Sequence, residues 1–108
     1  MAMNKKLKEK WIAALESGKY KQAKGRLCKP KMKEKGYNYC CLGVLERIKG
    51  KSPKQIINID KDTMHLGSND EVCKYGLKRE NRFKLAGMND NGTTFKRIAK
   101  YLKENTHI

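Results

Sequence analysis

The chain has 108 residues, of which 26 are Lys or Arg and 11 are Asp or Glu, so that its formal net charge is +15. Its length corresponds to one domain with a small core, and its apolar share of 38% is low for a globular domain but above the range of disordered chains. No apolar run comes near the ~20 residues of a transmembrane helix, so we predict no membrane partner.

The positive charge is unevenly distributed and consists mainly of lysine. Residues 1–36 hold 12 basic and 3 acidic residues, a balance of +9. A field of this sign attracts phosphates and acidic surfaces and accelerates encounter with them. The competing interpretation is that lysine only keeps the protein in solution, and the sequence leaves both open.

The four cysteines are expected to be free thiols: Cys28, Cys40, Cys41 and Cys73. The charged, amphipathic N-terminus shows no secretory signal, which predicts a cytoplasmic protein, and thiols stay reduced in that compartment. The spacing contains no C-x-x-C pair, which argues against zinc. Asp60, Asp62 and Glu71 occupy calcium-loop positions, but Met64 and His65 stand at positions five and six, so we reject calcium. We predict no metal and no cofactor.

The first predicted element is a helix over residues 4–17. Apolar side chains recur at i, i+4, i+7 and i+8 and form one stripe: Leu7, Trp11, Ala14 and Leu15. Asn4 is the predicted N-cap, and Gly18 is the predicted residue just past the end. We interpret residues 1–3 as an added start ahead of a native Met3, residues 4–104 as a single domain, and residues 105–108 as a tail.

The stretch 36–45 is the densest uncharged run of the chain, since nine of its ten residues are apolar, aromatic, Cys or Gly. Such a run must be buried. Residues 37–39 predict a strand that pairs with 26–28 as a hairpin, with a basic loop between them. From Cys41 the apolar spacing becomes that of a buried helix of about two turns. Gly43 inside this helix predicts the close approach of another element.

The middle of the chain predicts short strands and turns. Ser52 and Pro53 read as a turn, Ile56 and Ile57 predict a strand within 54–60, and residues 60–62 predict a turn before a return strand at 64–66. Residues 78–88 predict a helix with Phe83 and Ala86 facing the core, together with Leu77 or Leu85.

The last predicted element is a helix from Thr93 or Thr94 to about Glu104. Its apolar face consists of Phe95, Ile98, Ala99 and Leu102, and its basic outer face consists of Lys96, Arg97, Lys100 and Lys103.

Together these elements predict an α+β fold that is mainly helical, with about four helices and a small antiparallel sheet or hairpins in a single compact domain. The predicted structural core combines apolar side chains with two thiols: Trp11, Leu15, Cys40, Cys41, Leu42, Val44, Leu45, Phe95, Ile98 and Leu102.

The best candidate site is the segment 19–26, which carries cations, a phenol and an amide just after the first helix. Lys and Arg neutralise phosphate, Tyr20 can stack on a base or ribose, and Gln22 can read a base edge. The predicted ligand-binding residues lie in this segment and in the turn after residue 88: Lys19, Tyr20, Lys21, Gln22, Lys24, Arg26, Asn89 and Asp90. The competing interpretation is a solvated connector whose Tyr20 packs on Trp11, followed by ordinary turn residues.

The adjacent thiols of Cys40 and Cys41 are the strongest candidates for a nucleophile, because a helix N-terminus lowers a thiol pKa. The available bases are only His65 and His107, and neither has an orienting partner nearby in the sequence. Small core residues explain the pair better. We therefore predict no catalytic residue and a protein that is not an enzyme.

Three segments carry a resemblance: W-I-A-A-L-E-S-G-K-Y-K-Q-A-K-G-R-L at 11–27, Y-C-C-L-G-V-L at 39–45, and L-A-G-M-N-D-N-G-T-T-F-K-R-I-A at 85–99. In this order they resemble a family of small proteins encoded by phages and prophages, over roughly half of the chain. The resemblance implies a phage origin and action in the cytoplasm of an infected bacterium. Small phage proteins often inhibit or sequester host factors, and some capture nucleotide signals of bacterial immunity.

Three functions remain in competition. The first is non-enzymatic capture of an anionic, nucleotide-type ligand as a counter-defence protein. The second is binding of nucleic acid, which the charge suits. The third is inhibition of an acidic host defence protein, which would need an exposed apolar patch inside a basic rim. The sequence also permits a homo-oligomer.

Overall fold

The computed structural model describes residues 3–32, 35–63, 75–106 and 108. Within them the chain forms, in order, α1 (Lys5–Glu16), β1 (Lys21–Gln22), β2 (Cys28–Pro30), β3 (Tyr37–Tyr39), α2 (Cys41–Ile48), α3 (Pro53–Thr63), α4 (Arg79–Asp90) and α5 (Phe95–Glu104). The predicted mainly helical α+β class is confirmed. The Cα radius of gyration of 12.7 Å is that of one compact unit of this length.

Helix α1 begins and ends where the sequence predicts. The Asn4 side chain accepts a hydrogen bond from the Leu7 N–H, and Gly18 follows the C-cap with a φ of +75°. Trp11 is fully buried, and its indole N–H donates to the Cys41 carbonyl at 2.8 Å. This bond ties α1 to the start of α2.

The sheet has the strand order β1-β3-β2. Strands β2 and β3 are antiparallel, with Cys28 opposite Tyr39 and Pro30 opposite Tyr37. A hairpin with 37–39 is thereby confirmed, but its first strand is 28–30 instead of the predicted 26–28. The parallel pairing of β1 with β3 was not predicted, because a strand of two residues leaves no periodic signal in the sequence.

The uncharged run turns from strand to helix at Cys40. Its backbone is extended, and its sulfur accepts a hydrogen bond from the Gly43 N–H at 3.4 Å, so it is the N-cap of α2. A Cβ on Gly43 would lie 1.9 Å from the Leu27 carbonyl oxygen. The close approach predicted for Gly43 is therefore confirmed, and the approaching element is the chain entering β2.

The strand predicted around Ile56 and Ile57 is wrong, as are the turns at 52–53 and 60–62, because residues 53–63 form α3. A capping box explains the helix: Ser52 N–H donates to the Gln55 side chain at 2.8 Å, and Gln55 N–H donates to the Ser52 hydroxyl at 3.2 Å. Pro53 occupies the first helical position, where its missing N–H costs nothing. The return strand predicted at 64–66 lies outside the described residues.

The predicted inner face of α4 is wrong at Phe83 and confirmed at Leu85 and Ala86. Phe83 is 57% exposed, whereas Leu85 is fully buried. The buried face also contains Asn81, Arg82 and Asn89, so its polar content concealed the helical phase. The helix extends through Asp90, so Asn89 and Asp90 occupy its last turn rather than the turn that follows.

Helix α5 is capped by Thr94, whose hydroxyl accepts a hydrogen bond from the Arg97 N–H. All ten residues predicted as structural core lie in one buried cluster. The cluster also contains Met3 and Ile108, so Ile108, in the segment predicted as a tail, packs against the core. Among the described residues, no helix combines the length and the apolar character that crossing a bilayer requires.

Candidate anion-binding site

The segment 19–26 runs along one edge of the sheet. Lys21 and Gln22 form β1, opposite Asn38 and Tyr39 of β3, and the Ala23 N–H donates to the Tyr39 carbonyl at 2.7 Å. The segment is therefore held by backbone bonds to the buried part of the chain, and is more than a solvated connector.

A buried amide fixes this segment against α4. The Asn89 side chain is fully buried; its oxygen accepts from the Cys41 N–H at 3.1 Å and from the Gln22 amide at 2.9 Å. Its nitrogen donates to the Ala23 carbonyl at 2.6 Å. The Gln22 amide donates a second bond to the Thr93 carbonyl at 2.7 Å. One asparagine thus joins α2, α4 and the edge of the sheet.

The structure brings the predicted residues together but assigns some of them to the fold. Because Asn89 is sealed from solvent, it positions the segment instead of contacting a ligand. The Gln22 amide group donates both of its described bonds to protein atoms. Asp90 is exposed, and one of its oxygens accepts from the Gly25 N–H at 2.8 Å. The carboxylate is thereby directed at the backbone of the segment.

The cations of the segment point outward. Lys19, Lys21, Lys24 and Arg26 are all exposed. Tyr20 is half-buried and packs edge-on against Tyr39, with ring centroids 5.6 Å apart, while the Lys19 ammonium lies 5.8 Å from its centroid. The expectation that Tyr20 packs on Trp11 is therefore replaced by a contact with the sheet.

A cleft of about 260 Å³ opens where the segment meets the start of α5. We call it the Tyr20 cleft; its lining residues are Leu15, Gly18, Tyr20, Lys21, Gln22, Thr94, Phe95 and Lys96. Lys21 and Lys96 bring two ammonium groups to it, and none of the described residues that line it carries a carboxylate. Helix α5 has no acidic residue in its first turn, so its own positive end is not neutralised there. The cleft therefore favours an anion.

The thiols are placed as packing groups. Cys41 is fully buried, and its thiol donates to the Leu85 carbonyl at 3.6 Å. Burial raises the pKa of the Cys41 thiol well above its ordinary value, and the neighbouring Cys40 raises it further. A nucleophile needs the opposite shift. The predicted partner bases His65 and His107 lie outside the described residues, as does Cys73. In the described part of the chain, no group of acidic, His and Cys side chains is arranged to hold a metal.

Two lining residues of the Tyr20 cleft with polar side chains, Thr94 and Lys96, were not among the predicted ligand-binding residues. Thr94 was assigned only a capping role, and Lys96 was counted only as part of the outer face of α5. Neither assignment could reveal that the start of α5 faces residues 20–22. The one sequence signal for this contact is the amide pair Gln22 and Asn89, which are 67 positions apart.

Comparison with known proteins gives one match. Searches of curated proteins and of solved structures return no match. A family model described as "Domain of unknown function (DUF8296)" matches residues 3–58, slightly more than half of the chain. The matched part contains α1, the whole sheet, α2 and the first turns of α3. The chain belongs to this family, the domain of unknown function DUF8296.

Proposed function

We propose that this protein captures an anionic, nucleotide-type small molecule without transforming it. The observation that carries the proposal is the Tyr20 cleft, where Lys21, Lys96 and the positive end of α5 surround one opening and an aromatic ring forms part of its wall. Phosphate groups suit the two ammonium groups and the helix end, and a base or ribose suits the exposed part of Tyr20.

Preorganisation supports capture. The wall formed by residues 20–23 is attached to α4 and to β3 by the bonds of Gln22, Asn89 and the Ala23 N–H. A ligand that meets a wall of fixed geometry loses less free energy to ordering than one that must fold a loop around itself. The small volume of the cleft means that part of a nucleotide would remain outside it. The exposed cations Lys19 and Lys24 on the same segment are available to that part.

The state of the thiols supports the proposal that the ligand is captured without being transformed. The thiol of Cys41, which the sequence offers as a nucleophile, is inaccessible and its pKa is raised. The protein would then act by removing its ligand from solution. The resemblance of its three motifs to phage and prophage proteins supports a role in sequestering a host immune signal during infection.

Calorimetry with a panel of cyclic nucleotides and adenosine-ribose derivatives tests the proposal. We expect at least one to bind, and Lys21→Gln with Lys96→Gln to weaken that binding on the order of tenfold. The matched control is Lys84→Gln with Lys100→Gln, which removes the same charge from exposed positions outside the cleft. Absence of binding by the whole panel at low salt would sink the proposal, as would equal losses in the two double variants.

Nucleic-acid binding is the second candidate, and one observation favours it. The outer face of α5 exposes Lys96, Arg97, Lys100 and Lys103, so a row of cations extends away from the Tyr20 cleft along the helix. Filter binding to duplex and single-stranded DNA and RNA at rising salt separates the two functions. Affinity for a polymer should fall steeply with salt and should weaken in Lys84→Gln with Lys100→Gln. Indifference to all of them at low salt removes this candidate.

A further inference from the structure

A second cleft, of about 520 Å³, lies between α1 and the end of α2 and is bounded on one side by Tyr75. We call it the Tyr75 cleft; besides Asn4, its lining residues are Lys6, Leu7, Lys10, Ile48, Lys49 and Tyr75. None of them belongs to the Tyr20 cleft or to the ligand-binding residues predicted from the sequence. Its volume is twice that of the Tyr20 cleft and falls within the roughly 300–1,000 Å³ of small-molecule sites.

Three ammonium groups meet at this cleft. Lys6 and Lys10 are four positions apart on α1 and therefore share one face of that helix. Lys49 comes from the C-cap of α2. All three are exposed, and within the described part of the chain none of them forms an ion pair with a carboxylate. Like charges in this arrangement repel one another, so the cluster is slightly unfavourable until an anion neutralises it.

The ring of Tyr75 is held in place by the core. Its hydroxyl donates to the fully buried carboxylate of Glu46 at 2.5 Å and accepts from the Lys51 ammonium at 2.7 Å. The Glu46 carboxylate is thereby engaged by Tyr75 and Lys51, and does not neutralise the lysines that line the cleft. The ammonium of Lys49 lies 5.2 Å from the centroid of the Tyr75 ring. The ring is thus fixed in orientation while cations are gathered near it.

The cleft also has an apolar side. Leu7 and Ile48 are half-buried, pack against the core and still line the opening. A ligand that fits all these groups has a flat, weakly polar part for Leu7, Ile48 and the Tyr75 ring, and an anionic part for the three lysines. A bare phosphate would contact only the three lysines.

We infer that the Tyr75 cleft is a second binding site, and that it takes a phosphorylated small molecule with a planar ring. The ring lies against Tyr75, Leu7 and Ile48, and the phosphate lies among Lys6, Lys10 and Lys49. This inference stands on its own residues and does not depend on occupancy of the Tyr20 cleft.

Amide chemical shifts of the whole chain, followed during titration with adenosine diphosphate at low salt, test the inference. We expect saturable shifts at Leu7, Lys10, Ile48 and Lys49. Lys6→Gln with Lys10→Gln should abolish these shifts or weaken the binding they report about tenfold or more, because two of the three phosphate-facing charges are lost. The substituted side chains are exposed, so this variant keeps the fold.

Two further measurements make the assignment specific. Inorganic pyrophosphate should shift the same amides but bind with lower affinity than adenosine diphosphate. Tyr75→Leu should remove most of that difference in affinity. The control Lys84→Gln with Lys100→Gln removes the same charge elsewhere and should leave the shifts in place. Unshifted amides around the cleft, unchanged binding by the Lys6 and Lys10 variant, or an equal loss in the control overturns the inference.

The two clefts can fail separately. Lys21→Gln with Lys96→Gln should leave the shifts at Leu7 and Lys49 unchanged, whatever it does to shifts at the Tyr20 cleft. If instead that variant abolishes them while the Lys6 and Lys10 variant does not, the Tyr75 cleft is not a site and only the proposed capture at the Tyr20 cleft survives.

Discussion

The Tyr20 cleft and the Tyr75 cleft are both basic and both contain a tyrosine, but their walls are held differently. A buried hydrogen-bond network fixes the first, through Asn89, Gln22 and the backbone of residues 23 and 41. Packing of α1 on α2 forms the second, and the bonds among Tyr75, Glu46 and Lys51 complete it. One cleft therefore depends on contacts between distant parts of the sequence, and the other on two helices and one ring.

This difference separates residues that build a site from residues that face a ligand. At the Tyr20 cleft the side-chain amides of Gln22 and Asn89 bond to protein atoms, and Lys21 and Lys96 remain available to a ligand. At the Tyr75 cleft the tyrosine hydroxyl is bonded within the fold, the ammonium groups of Lys49 and Lys51 lie 5.2 Å and 5.4 Å from the ring centroid, and the three lining lysines remain for a ligand. In both, the groups with the most hydrogen bonds make those bonds to protein atoms and hold the wall of the cleft. Mutations of these inner groups should change stability first, and those of the lysines should change binding first.

The largest effect is expected at Gly43, whose contact with Leu27 holds the segment before β2 against α2. A Cβ at 1.9 Å from a backbone oxygen cannot be accommodated by a side-chain rotation, so Gly43→Ala must displace one backbone. We expect a loss of about 3 kcal/mol or more in the free energy of unfolding, measured by urea denaturation.

Gly87→Ala is the matched control for that substitution. Gly87 lies inside α4, and a Cβ there would have no neighbour within 4 Å. Alanine should therefore stabilise the protein by about 0.5–1 kcal/mol through helix propensity. If the two substitutions had similar effects, the contact between Gly43 and Leu27 would not be the reason for glycine in α2.

Asn89→Ala should have the next largest effect and should act on the Tyr20 cleft alone. It leaves the Cys41 N–H and the Ala23 carbonyl buried without their partner, at a cost of about 1–3 kcal/mol for each unsatisfied group. We expect a total loss of about 3 kcal/mol in the free energy of unfolding, and faster amide exchange at residues 22 and 23.

Asn91→Ala is its control, because Asn91 is the exposed C-cap residue of α4. This substitution should change the free energy of unfolding by less than about 0.5 kcal/mol. Amide shifts around the Tyr75 cleft should remain as in the wild type in both variants. A change there on mutation of Asn89 would show that the two clefts are coupled, and the contrast between them would fail.

The sequence predicted the parts of this fold that depend on local periodicity. Helices α1, α2 and α5 follow from apolar stripes and capping residues, and Gly43 correctly indicated a close contact. Helix α3 was missed although Ser52 and Gln55 form a capping box and Pro53 stands between them at the first helical position. The isoleucines that follow favour a strand by propensity, and this outweighed the capping signal. The phase of α4 was missed at Phe83 because its buried face is partly polar.

The candidate sites were harder to predict, for a physical reason. Segment 19–26 has the right residue types, but the sequence does not show which of them another element already binds. Gln22 and Asn89 looked free because each sits in a polar stretch, and their contact spans 67 positions. The Tyr75 cleft combines α1, α2 and a residue 26 positions after Lys49, and no spacing rule joins three such places.

Asp90→Ala tests a weaker contact of segment 19–26. Its bond to the Gly25 N–H is exposed, so water can replace it. We expect a loss of about 0.5–1 kcal/mol in unfolding free energy. The amide of Gly25 should exchange faster with solvent, whereas that of Ala23, held by the sheet, should not. Equal acceleration at both would mean that Asp90 fixes the whole segment and that the buried network is not sufficient.

The smallest effect is a pH dependence that belongs to the Tyr75 cleft. Burial raises the pKa of Tyr75 above its usual 10.0, and the bond to Glu46 raises it further, while Lys51 opposes the shift. The folded state therefore keeps the phenol proton to higher pH than the unfolded state. The stability that the protonated Tyr75 phenol contributes is complete below pH 10.0 and is lost as the pH rises from there through the folded-state pKa.

Tyr75→Phe removes this titration and should make the unfolding free energy fall less steeply with rising pH above about pH 10 than in the wild type. It also removes one hydrogen bond from Glu46, so stability near neutral pH should drop by about 1 kcal/mol. Tyr101→Phe, a change on α5 outside both clefts, provides the reference slope. The difference in slope between the Tyr75 and Tyr101 variants reports on the Tyr75 hydroxyl together with its bonds to Glu46 and Lys51. An identical slope in the Tyr75 variant would mean that its hydroxyl is not held by Glu46, and the fixed ring on which the second site depends would be lost with it.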